Sequence, residues 1–188
     1  MGHDTKKLKF ILDSCKQGNR ASQMRLYEHF YSYGMGICLR YSKNREEANE
    51  ILNDGFLKVF NNMDQYDPEY TITAWLRRIF INVSIDYHRK YHKYKHQSKT
   101  QTILEPEPVY NEALSNLSYQ ELIGVVQQLP PAYRLVFNLY VVEGLMHHEI
   151  AERLNISVGS SKSNLSKARK KLAELLSKTH KTRKTGER

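Results

Sequence analysis

Three groups of side chains in this sequence have types and spacings that suit chemistry. The first lies between Ser160 and Lys171. There Ser160, Ser163, Lys167, Lys170 and Lys171 share one face of a helical repeat, with Lys162 and Arg169 on its flank. Short hydroxyls between cations suit a groove of nucleic acid: the hydroxyls permit close approach and the ammonium groups neutralise phosphates. The second group is Arg78, Asn82, Ile85 and Arg89, a side stripe preceded by a loop that carries Tyr66 and Tyr70. Rings that stack on bases and cations that track a backbone suit a single strand, although the same tyrosines could equally close a small core. The third is His88, His92 and His96, at i, i+4 and i+8, a spacing compatible with a metal. No Cys or carboxylate converges on them, and Arg89, Lys90, Lys93 and Lys95 interleave. The expectation is a phosphate-facing or solvated helix end with no metal. His147 and His148 are adjacent and point in different directions, so they receive no metal role either. Asp54 and Asp86 are the carboxylates a metal-dependent nucleic-acid enzyme would need. They lie on different helices, Asp86 reads as inward-facing, and no third carboxylate is in register. The chain is therefore expected to be neither an enzyme nor a holder of metal or cofactor.

The elements that must position the first group run from Glu143 to Leu176. Met146 to Leu154 place Ile150, Ala151 and Leu154 on one helical face. Asn155 tolerates the left-handed conformation of a helix stop, and Ser157 suits the cap of the next start. From there Ser161, Leu165, Ala168, Leu172 and Leu175 recur at helical spacing as the inner face. A short helix, a tight turn and a longer helix that is apolar inside and cationic outside describe a helix-turn-helix. An ordinary helical hairpin with a solvated Lys face would leave the same pattern.

Helical spacing recurs through the rest of the chain. Leu8, Ile11, Leu12 and Cys15 predict a first helix, broken at Gly18 and Asn19. Met24, Tyr27, Phe30, Tyr31, Gly34, Ile37, Cys38 and Tyr41 trace a longer one. Asn44 with Glu47 forms a capping-box signature for a third helix, whose inner face is Ala48, Ile51, Leu52, Gly55, Phe56 and Val59. Its outer face is Glu50, Asn53, Asp54 and Leu57. A Leu exposed among acidic and amide side chains fits a partner protein with a basic surface. After the loop at 61–73, Trp75, Leu76, Ile79, Val83 and Asp86 or Tyr87 are read as the inner face of a basic helix. Residues 97–116 lose periodicity around Glu105-Pro106-Glu107-Pro108 and read as a linker. Leu117, Leu122, Val126 and Leu129 then make a helix stopped by Pro130-Pro131, and Tyr133, Val136, Phe137 and Tyr140 belong to the next.

Charge is distributed to match. The net charge of +9 is 0 over residues 1–76, +6 over 77–99, −3 over 100–142 and +6 over 143–188. Two basic blocks separated by an acidic one point to two polyanion contacts. The two cysteines lack metal spacing and read as buried thiols of a reducing compartment. No signal peptide and no apolar run of membrane-spanning length is present, so a cytoplasmic protein without membrane insertion is expected. The fold class is all-α: two small helical domains joined by a flexible linker, the second with a helix-turn-helix. The domains are placed at 1–96 and 117–188, with the linker at 97–116 and a basic tail at the end.

In this order the parts resemble those of the extracytoplasmic-function (ECF) class of sigma factors of the sigma-70 family, from about Gly18 to Leu176. REEANEILNDGFLKVF is similar to the region-two helix that binds the clamp helices of the RNA polymerase β′ subunit. The resemblance implies a core-binding role for Glu50, Asn53, Asp54 and Leu57. AWLRRIFINVSIDYHRK is similar to the promoter-melting and −10-reading helix, with Trp75, Leu76, Ile79, Asn82 and Asp86 in its W-L-x-x-I-x-x-N-x-x-x-D pattern. The preceding loop resembles the one that captures a flipped base. Lys58, Tyr66, Tyr70, Arg78, Asn82 and Arg89 would then meet the −10 element. QLPPAYRLVFNLYVVEGLMHHEIAERLNISVGSSKSNLSKARKKL resembles region four, which places Ser157, Gly159, Ser160, Lys162, Ser163, Ser166 and Lys167 on the −35 element. Ser161 and Asn164 depart from the usual β-branched residue and Arg. The resemblance implies core RNA polymerase (β′ clamp helices and β subunit), promoter DNA and an anti-sigma factor as partners. A free-standing helix-turn-helix regulator with an N-terminal sensor or dimerisation domain is the competing reading.

Overall fold

A computed structural model describes residues 2–95 and 117–186, with side chains described for 7–90 and 119–177. The described residues form eight α-helices and no strand. By contacts the chain divides into two units: Met1–Cys38 with Glu46–Tyr91, and Leu39–Arg45 with His92–Arg188. The linker expected at 97–116 lies outside the described residues, as do the side chains of His92 and His96.

In the first unit, α1 spans Gly2–Lys16 and buries Ile11, Leu12 and Cys15. Gly18, at φ +74°, closes it, with the Asn19 N–H donating to the Ser14 carbonyl at 3.1 Å. Asn19 then caps α2 (Arg20–Tyr41), its Oδ1 accepting the Ser22 N–H at 3.0 Å. Helix α3 (Arg45–Asn61) buries the whole inner face expected of it. A 3₁₀ turn at Met63–Gln65 leads to α4 (Ile72–Lys95).

Phe80 of α4 is the centre of this unit. It is fully buried, and its ring lies edge to face with Phe56, centroids 5.3 Å apart. Glycines on both neighbouring helices admit it. A Cβ at Gly55 would stand 2.4 Å from the ring and one at Gly34 would stand 2.9 Å away. Leu76 and Val83 are buried as the sequence pattern expects, but the rest of the expected inner face of α4 is corrected. Trp75 and Ile79 are only half-buried, Ile85 leaves the expected stripe for the core, and Asp86 is half-exposed. His88 is buried, not solvated or phosphate-facing. On α2, Met24 is exposed and Leu26 takes its expected place in the core.

The second unit comprises α5 (Leu117–Gln127), α6 (Pro131–Phe137), α7 (His147–Leu154) and α8 (Val158–Gly186). Pro131 opens α6, where a missing N–H costs nothing. The helix then widens into a π turn at Asn138–Val142. Val136 is buried as expected and Leu135 and Leu139 join it, whereas Tyr133, Phe137 and Tyr140, expected inside, are half-buried. Arg134 is also buried, its Nη1 donating to the Gln127 carbonyl at 2.7 Å. On α5 it is Val125 that is buried, while Leu122 is exposed.

Candidate nucleic-acid interface

The turn between α7 and α8 is fixed by its own residues. Asn155 is left-handed at φ +52°, and the Ile156 N–H donates to the Ala151 carbonyl at 3.0 Å. Ser157 caps α8, its Oγ accepting the Ser160 N–H at 3.0 Å. At the start of α7 the Glu149 carboxylate accepts the Met146 N–H at 2.7 Å. Ile150 and Ala151 of α7 and Ser161, Leu165 and Ala168 of α8 are buried. The opposite side of α8 is open: Ser157, Gly159, Ser160, Lys162, Ser163, Ser166 and Lys167 are all exposed. Lys167 lies 6.0 Å from the Tyr133 ring centroid and Arg169 lies 5.8 Å from that of Tyr140. The cations therefore line a helix whose first turn is free of side chains larger than Val. That shape fits a groove floor flanked by phosphates.

In the first unit a cleft of about 630 Å³ opens between the end of α3, the loop after it and α4. Lys58, Tyr70, Arg78 and Asn82 line it together, as expected of one site. Asn62, Gln65, Asp67, Ala74, Trp75 and Ile79 complete the wall. Sequence reasoning missed these six as site residues; the Asn, Gln and Asp content of the loop was the available signal for three of them. The Lys58 ammonium rests 2.9 Å from Asp86, whose expected inward position is thereby corrected. Asn62 is held by donation to the Lys58 carbonyl at 2.7 Å and accepts from Gln65 at 3.0 Å. Tyr66 does not line the cleft. Its ring packs on Trp75 at 5.4 Å and its hydroxyl donates to the Tyr70 carbonyl at 3.0 Å. Burial, and then the Asp67 carboxylate, push the Tyr66 phenol above its usual pKa, so it stays a neutral donor. Tyr70 is exposed at the rim. Arg89 is exposed further along α4 and does not line the cleft. An aromatic wall, fixed amides and cations at the mouth can hold an unstacked base and its phosphates.

The third surface is the outer face of α3. Glu50, Asn53, Asp54 and Leu57 are exposed, Leu57 to 60%. Tyrosines from both neighbours brace this face: Tyr87 donates to Glu50 at 2.9 Å and Tyr27 to Asn53 at 3.4 Å. Among the described residues no group of His, Cys, Asp or Glu is placed to hold a metal ion. Burial raises the Cys15 thiol pKa, which keeps it inert.

An all-helical chain with a helix-turn-helix, a second aromatic-and-basic cleft and an exposed acidic-apolar helix face defines a DNA-binding protein that also docks on another protein. Residues 26–94 match the model of sigma-70 region 2, and residues 119–172 match that of sigma-70, region 4. The ECF RNA polymerase sigma factor SigW of Bacillus subtilis is 30% identical over 158 residues, covering 74% of this chain and 81% of that one. SigM of the same organism is 27% identical over 157 residues, covering 80% and 92%. SigE of Mycolicibacterium smegmatis is 26% identical over 149 residues, and the match spans 76% of this chain and 56% of that relative. In fold, the chain resembles the sigma factor RpoE from Bartonella quintana, solved with the anti-sigma factor NepR. That likeness has a TM-score of 0.50 at 20% identity, covering 94% and 98% of the two chains. The chain belongs to the ECF class of sigma-70 family RNA polymerase sigma factors.

Proposed function

We propose that this sigma factor, which binds core RNA polymerase and directs promoter recognition and melting without catalysing a reaction, divides that task among its three surfaces. The outer face of α3, with Glu50, Asn53, Asp54 and Leu57, docks on the β′ clamp helices. The cleft lined by Lys58, Tyr70, Arg78 and Asn82 takes an unstacked base of the opened −10 strand, with Arg89 following the backbone beyond it. Tyr66 supports the cleft from behind. The exposed face of α8 reads the −35 element through Ser157, Gly159, Ser160, Lys162, Ser163, Ser166 and Lys167.

The observation that carries this reading is the coexistence of the α3 face with two separate DNA-suited surfaces. A free-standing regulator needs one DNA surface and no acidic docking face. An anti-sigma factor and the polymerase β subunit are further partners on this reading, and the cytoplasm is where the polymerase and the genome place it. No helix among the described residues is long and apolar enough to cross a membrane. Gel shift of promoter DNA with and without core polymerase tests the reading. DNA shifted only with core supports a sigma factor; the chain shifting its site alone with equal affinity supports the regulator.

A further inference from the structure

The helix pair of the second unit is joined by a polar contact inside an otherwise apolar crossing. His147 Nδ1 lies 2.9 Å from Ser161 Oγ, and Ser161 is fully buried beside Leu165 and Ala168. A buried hydroxyl must find a partner, because an unsatisfied one forfeits most of its hydration energy. In the first turn of a helix its usual resort is the carbonyl four residues back. The Ser161 hydroxyl instead meets the imidazole that opens α7.

The imidazole is itself oriented. Its ring stacks on Tyr140 with centroids 4.6 Å apart and planes 26° apart. Tyr140 also lies under Arg169 of α8 at 5.8 Å. The recognition helix is thus tied at two points, Ser161 and Arg169, to one aromatic pair that precedes it. Those points are about 12 Å apart along the helix axis at ~1.5 Å per residue. Two ties along a rod fix its tilt, and the directional tie at Ser161 fixes its rotation. The residues beside Ser161 are Ser160, Lys162 and Ser163, all exposed on the DNA-suited side. Rotating a helix of roughly 6 Å side-chain radius by about 20° moves those tips by about 2 Å, enough to break a hydrogen bond to a base edge.

We infer that His147 is a positioning residue for the recognition helix, its Nδ1 and the Ser161 hydroxyl setting the rotation of α8 on α7. This rests on the −35 reading of α8. The assay is promoter binding by holoenzyme, reconstituted with core polymerase, on matched and scrambled −35 elements of a promoter found by run-off transcription. The thermal midpoint of the free chain is measured alongside. The asparagine amide occupies the position of Nδ1, whereas the glutamine amide reaches that of Nε2. His147→Asn and Ser161→Thr are therefore expected to keep the wild-type ratio of matched to scrambled affinity within about twofold. His147→Gln and Ser161→Ala are each expected to lower it by about three- to tenfold, the range for one net hydrogen bond, and their combination should lower it no further.

Lys162→Ala is the control for the underlying reading. If it weakens promoter binding while His147→Gln and Ser161→Ala keep the wild-type ratio, the positioning role is overturned and the −35 reading stands. If Lys162→Ala also changes nothing, the −35 reading itself fails. Loss of thermal midpoint with an unchanged ratio would make the bond merely structural. His147→Asn failing as badly as His147→Gln would assign the effect to ring packing on Tyr140, and would likewise overturn the role of the bond.

Discussion

Gly55→Ala adds one methyl group at the point where the first unit has no room for it. Its Cβ would stand 2.4 Å from Phe80 Cδ1 and 2.6 Å from Cε1, where carbon atoms normally rest about 3.5–4.0 Å apart. The ring would have to retreat by about 1 Å, an estimate from that normal separation. Retreat towards α2 drives the ring onto the Gly34 backbone, because its far edge already fills the space a Cβ would take there, 2.9 Å from that position. Overpacking of this kind costs about 1–3 kcal/mol, offset by roughly 0.5–1 kcal/mol from the better helix propensity of Ala. The net loss expected is about 1–2 kcal/mol, or on the order of 4–15 °C in thermal midpoint for a unit of this size. The fluorescence of Trp75, the single tryptophan, reports on this unit within the intact chain. Gly36→Ala is the control: nothing lies within 4 Å of its Cβ, so it should be neutral or stabilising by up to about 1 kcal/mol. A Gly55→Ala chain that melts at or above the wild-type midpoint would refute the placement of Phe80 between the two glycines.

The other expectations concern the three surfaces. Asp54→Lys with Leu57→Ala should weaken co-purification with core polymerase by at least tenfold while shifting the thermal midpoint by no more than a few degrees, since both side chains are exposed. Undiminished co-purification would show that this face is not the dock. Asn82→Ala should slow open-complex formation on a duplex promoter more than on a pre-melted one; equal loss on both would assign Asn82 to binding rather than opening. Lys162→Ala should reduce the slope of log affinity against log salt by about one if that ammonium meets a phosphate. A changed preference at a single base pair, worth about 1–3 kcal/mol, would place it on a base edge instead. Asn155→Ala should destabilise the second unit by about 1–2 kcal/mol, because Asn tolerates the left-handed turn at φ +52° better than Ala does. A midpoint equal to wild type in a circular dichroism melt would remove that argument.

Much of this was legible in the sequence where one periodicity had one cause. The α3 pattern picked out every apolar core residue because a single apolar stripe faces a single core, and missed only the buried Glu47. The turn at Asn155 and the cap at Ser157 followed from local chemistry that needs no tertiary partner. Helix α4 misled because it carries two apolar stripes. Leu76 and Phe80 face the core, while Trp75 and Ile79 face the cleft, and hydrophobicity does not distinguish a core from a binding wall. On α6 the pattern was already off before the π turn: Tyr133 and Phe137 are half-buried while Arg134 and Leu135 are buried, because a helix of seven residues is too short to fix a phase. Arg134 and His88 show the other limit. A charged or polar residue reads as solvated until the fold encloses it, for Arg134 with the Gln127 carbonyl as acceptor. Ser161 stood out in the sequence only as a departure from the usual β-branched residue, since its partner His147 is fourteen positions away.

Transcription reconstituted from purified components measures whether the chain confers promoter recognition on core polymerase. The chain is added to core RNA polymerase on genomic DNA fragments, and run-off products are mapped beside reactions with core alone and with the Asp54→Lys, Leu57→Ala chain. A role as sigma factor predicts discrete start sites that appear only with the wild-type chain and core together, and that weaken with the α3 variant. Promoter fragments bound by the chain alone, with no new start site when core is added, would contradict it.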